Sequence, residues 1–370
     1  MKKTLLATAI AGALGASAAA QAATVYNQDG TQLDIYGNIQ IAYYSLDAGD
    51  ESVDEIADNG STFGFAAQHV INDGLTGYLK LEFDDFKADE IKVRGRDAGD
   101  QAYVGLKGNF GDARLGSYDP LIDDWIQDPI TNNEFADVSD SSGLIVDIYG
   151  ADDREGDKFQ YTSPSFGGLQ FAVGTQYKGD AEEKNAFIEA DGRASFFSGV
   201  KYTVGAFSIA GVYDNLAIYD GEFNTAVDVD GDGTADIAAG DDFEAGDQYG
   251  VTAQYTMGAL RVALKYERYE SEVEDVQPDV NFYGIGARYG YGMGDIYAAY
   301  QYVDIGGSDL EETIEEDDEN IGENDDSRNE ILVGVTYNVS PAMYVWLEGG
   351  VRDQEDDLGD FTATGVTYSF

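Results

Sequence analysis

The chain is written mostly in period two. From residue 33 onward short runs alternate apolar and polar side chains, as where Leu79, Leu81 and Phe83 are interleaved with Lys80, Glu82 and Asp84. Successive side chains on a strand point to opposite faces, so each run has one apolar face and one polar face. This period predicts sixteen strands, at 33–45, 61–70, 75–84, 101–107, 113–117, 158–163, 169–177, 193–204, 207–216, 248–256, 260–269, 281–289, 295–303, 328–338, 344–352 and 359–370. Tight turns such as Asn72-Asp73-Gly74 alternate with longer acidic connections, 46–60 among them, as expected for antiparallel neighbours. Pro120, Pro129, Pro164, Pro278 and Pro341 all fall between runs, where no ladder N–H is lost.

One long piece departs from the pattern. Between Tyr118 and Asp153 there is no Lys or Arg and there are ten acids, and Arg154 closes the stretch. An insert of this length is a lid, a binding loop or a disordered segment. Leu121, Ile122, Trp125, Phe135 and Ile145 argue against disorder, because disordered tails lack large apolar residues. The segment is expected to fold into the lumen of a barrel and narrow it.

Composition narrows the class. Lys2 and Lys3, an apolar run and the Ala20-Gln21-Ala22 site read as a signal peptide over 1–22, removed to leave one barrel domain over 23–370. No later apolar run reaches the roughly 20 residues of a membrane-spanning helix. The formal charge of -50 argues against nucleic acid as a partner and for a surface that gathers cations. Zero cysteines excludes disulfide scaffolds and thiol chemistry. An even number of strands, with short turns at one rim and long loops at the other, is the pattern of an outer-membrane barrel. Lipid cannot hydrogen-bond the backbone, so only a closed sheet can span. Tyr43, Tyr177, Phe207, Tyr269 and Tyr337 at strand ends would supply the interfacial girdles. A water-soluble sandwich with one wet face is the competing reading.

The whole mature chain resembles the general trimeric porins of Gram-negative outer membranes. The resemblance is carried by Ala23-Thr24-Val25-Tyr26-Asn27-Gln28-Asp29-Gly30 and its continuation to Tyr36. It is carried also by Ala102-Tyr103-Val104-Gly105-Leu106-Lys107, by Tyr161-Thr162-Ser163-Pro164 and by the terminal Tyr368 and Phe370. It implies a 16-stranded antiparallel transmembrane β-barrel, an inward-folded third extracellular loop at 118–153, a homotrimer, and Phe370 with Tyr368 as the signal read by the outer-membrane assembly machinery. In such porins basic residues on the wall face the acidic loop. At the matching positions this chain has Asn38, Thr62 and Asp100, and keeps only Arg154. The constriction is therefore expected to involve Asp119, Asp123, Asp124, Asp128, Glu134, Arg154, Asn38, Thr62 and Asp100. The expected function is passive, cation-selective diffusion of small hydrophilic solutes and ions. Gly37, Gly64 and Ala67 are expected to face neighbouring subunits, with lipid around the rest of the wall.

Two other readings remain, a solute-specific porin and a calcium-dependent surface adhesin. Asp228, Asp230, Asp232 and Asp236, with Gly233 at the sixth position, match part of a calcium-loop spacing, although Ala239 stands where the bidentate Glu belongs. Residues 311–326 carry a dense acidic run that reads as a solvated loop. His69, the one histidine, lies beside a turn without a nucleophile or acid near it in sequence, so an enzyme would lack its usual base.

Overall fold

The computed structural model describes residues 22–49, 52–84, 88, 99–127, 133–144, 156–177, 188–190, 192–226, 235, 237–273, 278–306, 327–354 and 357–370. Within them the period-two runs pair into a closed antiparallel barrel of sixteen strands. In chain order the strands are β1 (Ala23–Gln28), β2 (Thr31–Asp47), β3 (Ser52–Asp58), β4 (Thr62–Asn72), β5 (Leu75–Phe83), β6 (Gly99–Gly108) and β7 (Gly111–Ser117). They continue as β8 (Lys158–Thr162), β9 (Leu169–Tyr177), β10 (Ile188–Ala190), β11 (Ala194–Val204), β12 (Phe207–Asn215), β13 (Gly221–Phe223), β14 (Asp242–Phe243), β15 (Asp247–Met257) and β16 (Leu260–Glu270). The last are β17 (Val280–Gly290), β18 (Asp295–Ile305), β19 (Arg328–Ser340), β20 (Met343–Val351) and β21 (Phe361–Ser369).

Closure is made by β2 and β21, from Asn38 opposite Ser369 to Leu46 opposite Phe361. Beyond the end of β21, β1 takes the same side of β2, with Ala23 opposite Ile35. Gly37 and Phe370 exchange backbone hydrogen bonds of 3.1 and 2.9 Å at the junction. No long edge of β2 is left unpaired, which lipid would penalise.

Two departures from the sequence reading concern the first strands. Residues 52–58 were expected within a connection and instead form β3, paired with β2 from Asp47–Ser52 to Ile41–Asp58. β3 and β4 make one lane of the barrel interrupted at 59–61, where the register against β2 shifts by one residue. The acids Asp54, Glu55 and Asp58 hide the alternation in the sequence, and the ladder overrides that composition. Gly64, expected to face outward, lies on the inner side. A Cβ there would come within 2.4 Å of the Tyr36 ring, so the glycine makes room for an inward tyrosine.

The barrel is inside out relative to a soluble protein. On β19, Ile331 and Val333 are exposed whereas Glu330 and Leu332 are buried; on β20, Val345 and Leu347 are exposed whereas Trp346 and Glu348 are buried. The exposed apolar face suits hydrocarbon and the polar face lines the interior. Tyr43, Tyr177 and Tyr337 are exposed, as interfacial residues would be. Tyr269 is not a girdle residue. It shares the inner face with Lys265 and Glu267, is fully buried, and packs with Leu216, Ile218, Tyr219, Phe223 and Phe243 under a small separate sheet of β10, β13 and β14.

Candidate solute pathway

After β7, Tyr118-Asp119-Pro120 leads into a single wide helical turn, Asp123–Gln127. Proline suits such a start because its missing N–H is one the first turn leaves unpaired anyway, and Asp123 and Asp124 sit where the helix dipole favours acids. Leu121, Ile122, Trp125 and Ile126 are buried against Ala172, Phe197, Ala210 and Val212. These four belong to β9, β11 and β12 and occupy the face opposite exposed residues such as Val173 and Ile209. Each large apolar side chain so buried contributes about 1.5–3 kcal/mol to keeping the turn against the wall.

The second described part, 133–144, is held by three wall glutamates. The Glu348 carboxylate accepts backbone N–H groups from Glu134 at 2.8 Å, Phe135 at 3.2 Å and Ala136 at 2.9 Å. Glu330 accepts the N–H of Ser139 at 2.7 Å and its hydroxyl at 2.6 Å. Glu267 accepts the N–H of Ser141 at 2.8 Å. An irregular backbone away from bulk water must find partners for its N–H groups, and these carboxylates supply them. Val138 is buried with Ala42, Ala299, Leu332 and Trp346, and Phe135 packs beside them. The segment is thus fixed by apolar contacts at both parts and by charge-assisted hydrogen bonds at the second.

The structure places the expected constriction residues as follows. Asp119 accepts a hydrogen bond from Gln101 at 2.8 Å, and Asp123 accepts one from the Ser142 hydroxyl at 2.6 Å. Asp124 is ion-paired with Arg114 at 3.3 Å and Glu134 with Arg288 at 3.0 Å. On the wall, Asn38 donates to the Thr62 hydroxyl at 3.0 Å, and Asn59 donates to the Glu134 carbonyl at 2.7 Å. Asp100 lies at the start of β6, with its side chain undescribed. Asp128, Arg154, the loop acids Asp228, Asp230, Asp232 and Asp236, and the 311–326 run lie outside the described residues. Among the described residues no group of three or more His, Asp or Glu could hold a metal. His69 is exposed and hydrogen-bonded to Thr31 at 2.7 Å.

Several participants were missed in the sequence. Motif matching followed four wall positions, whereas the wall touches the segment through Arg114, Lys265, Arg288 and Arg328. Lys265 pairs with Glu267 at 3.2 Å and Arg328 with Glu330 at 2.9 Å. A signal for them does exist in the alternation, since each is a polar residue on the inward side of a strand, as Lys265 is between Leu264 and Tyr266. Burial pushes Asp140 up to about 7, helped by the nearby carboxylates of Glu267 and Asp123. Burial also raises Glu134, an effect that the Arg288 guanidinium opposes.

A closed barrel with an apolar outside and a charged inside defines an outer-membrane channel of the β-barrel class. The chain belongs to the Gram-negative porin family, whose sequence model matches residues 7–357. It is 57% identical over 387 residues to a "Monosaccharide porin" of a Halomonas species and, to the same degree, to the "Major outer membrane protein" of Halomonas elongata, covering 100% of each chain in both comparisons. Among solved structures it resembles Salmonella typhi OmpF in complex with daunomycin, with a TM-score of 0.68, 22% identity, and coverage of 94% of this chain and 100% of that one. It is an outer-membrane channel for passive diffusion, and its relatives are channels rather than enzymes.

Proposed function

We propose that this porin is a cation-selective channel for small hydrophilic solutes, with 118–127 and 133–144 folded into the lumen as parts of its constriction. One observation carries the reading. Four wall cations that touch the segment also meet a carboxylate, Arg114 with Asp124, Arg288 with Glu134, Lys265 with Glu267 and Arg328 with Glu330, while Lys201 and Arg352 touch it at the Trp125 ring and the Asp137 carbonyl. Asp119, Asp137 and Asp140, by contrast, accept from neutral donors, the Gln101 amide and the backbone N–H groups of Asn133 and Gly143. The balance along the segment is negative. An ion in a narrow passage is partly desolvated and feels fixed charge at reduced dielectric, so that sign decides which ions enter easily. Mouth charges beyond about 8–10 Å are screened by salt, so selectivity falls with ionic strength but persists. In a KCl gradient the reversal potential takes the cation-selective sign, and Asn38→Lys with Thr62→Arg and Asp100→Arg moves it toward zero. A wild-type value near zero or of anion-selective sign overturns the reading.

A second reading concerns neutral solutes. The name of the 57% identical Halomonas relative and a group of inward tyrosines, Tyr78, Tyr103 and Tyr118, favour passage of small sugars as well as ions. Swelling of proteoliposomes in isotonic D-glucose tests this directly; a rate no faster than that of protein-free vesicles rules it out. The chain is further proposed to lose residues 1–22 on export and to assemble as a homotrimer, as porin homologues do, with outward Gly37 and Ala67 allowing close approach. Migration as a monomer in mild detergent at all temperatures would exclude the trimer.

A further inference from the structure

We infer that the inner wall at β5, β6 and β7 carries a saccharide-retaining subsite centred on Tyr103, which rests on the reading that small sugars pass this channel. Tyr103 stands opposite Lys80 on β5 and on the same face as buried Gln101, so its ring belongs to the lumen side. Tyr78 and Tyr118 meet it nearly at right angles, with centroids at 6.2 and 5.5 Å. Edge-to-face neighbours hold a ring at a fixed tilt. Tyr78 is itself laid over Gly105, where a Cβ would come within 2.3 Å of its ring, and its hydroxyl is tied to Asp112. Tyr118 is fully buried, whereas Tyr103 and Tyr78 are only half-buried.

Beside this ring runs a row of hydrogen-bonding groups of alternating character. The Lys80 ammonium donates to Glu82 at 3.0 Å and to the Gln101 carbonyl oxygen at 3.0 Å, and the Gln101 amide donates to Asp119 at 2.8 Å. Carboxylate, ammonium, amide and carboxylate follow one another across two strands and into the segment. Vicinal hydroxyls both donate and accept, so a pyranose meets this row with either capability. Its axial C–H groups give it an apolar face, which an aromatic ring receives. An orienting aromatic surface with a few placed polar groups is the general form of a small-molecule site. Because the row is already bonded within itself, a sugar exchanges bonds with it instead of filling vacancies, and retention is weak and fast, as a channel requires.

The test uses the full-length protein in planar bilayers and proteoliposomes, with D-glucose as probe and sorbitol, an acyclic polyol of similar size, as comparison. Glucose reduces the KCl conductance in a saturable manner beyond the loss that solution viscosity causes, and sorbitol shows the viscosity effect alone. Tyr103→Ala raises the half-saturating glucose concentration by about tenfold, as expected for loss of one aromatic contact, whereas Tyr103→Phe shifts it less than about twofold. Open-channel conductance in KCl shows that each variant has folded and inserted. Saturation that is unchanged in Tyr103→Ala, or equal saturation by sorbitol, overturns the subsite. Glucose uptake with a strictly linear, unsaturable block overturns the subsite while the sugar reading stands; absence of uptake by wild type removes both.

Discussion

Replacing Glu348 by glutamine tests whether the wall glutamates hold the segment. The carboxylate spreads its acceptors over two oxygens, the N–H of Glu134 on Oε2 and that of Ala136 on Oε1, while Phe135 lies within reach of both. Glutamine has one acceptor oxygen and one NH2 group, so in either orientation a backbone N–H faces a donor. Hydrogen bonds to charged groups are worth about 1.5–3 kcal/mol each, and the exchange also removes the charge from those that remain, so the local loss is about 3 kcal/mol. That is roughly a hundredfold in the population of locally open conformations. Glu330, Glu267 and the apolar contacts of Phe135 and Val138 remain, so the segment loosens around 134–136 without leaving the wall. Hydrogen exchange followed by mass spectrometry on peptides spanning 134–136 reads this directly, because exchange from local opening scales with that population. About a hundredfold acceleration confined to these amides is expected. Rates within about threefold of wild type would mean that the carboxylate does not anchor the segment.

Two further outcomes follow from the same geometry. Asp140, raised from 3.8 to about 7 by burial and by Glu267 and Asp123, binds its proton more tightly in the docked segment than in an undocked one. The contribution of Asp140 to docking is therefore greatest below about pH 4 and is lost as pH rises through about 7, while the negative charge of the segment grows over the same range. Cation selectivity from reversal potentials should fall on acidification from pH 8 to pH 5 with a midpoint near 7, and Asp140→Asn should flatten that portion of the curve. Trp125→Ala removes a ring packed on the inner wall beneath Lys201, whose ammonium lies 5.1 Å from the ring centroid, at a cost of about 3–5 kcal/mol to docking. Because the barrel's ladder does not pass through Trp125, larger and noisier single-channel currents are expected, with strand content by circular dichroism unchanged.

The barrel could be read in the sequence because its rule is local and repeats: a residue's face follows from its parity, and Leu79, Lys80 and Leu81 declare it within three positions. Where the parity is diluted the reading failed. β3 carries Asp54, Glu55 and Asp58 in a lane that β2 nevertheless pairs, and Tyr269 sits at a strand end where parity, rather than its aromatic character, decides which way it points. The acidic segment was legible as a departure, through its lost period and its acid content, but its contacts were not. Glu348 meets residue 134 across 214 positions of sequence, a distance over which no pattern in a single chain connects a wall carboxylate to the N–H groups it will accept. Motif matching found the places where cations are missing, and it passed over Arg288 and Lys265, which hold the segment from other strands.

Those contacts tie selectivity to stability. A segment with exposed N–H groups could have been held by neutral acceptors such as glutamine, at roughly half the strength per bond. Carboxylates hold it more firmly, but each buried charge needs its own compensation, and the structure provides it in Arg328 for Glu330 and Lys265 for Glu267. The inner wall is consequently rich in both signs where it grips, and on the proposed reading the acids of the segment itself, Asp119, Asp137 and Asp140, set the sign that a passing ion meets. On that reading, adding a cation to the wall at Asn38 or Thr62, which bond to each other, should change selectivity with little effect on docking. Removing one that is already paired, such as Arg288, strands the buried Glu134 carboxylate and changes both at once. The two kinds of substitution should therefore separate cleanly: the first moves the reversal potential at constant hydrogen exchange of 134–136, and the second moves the two together.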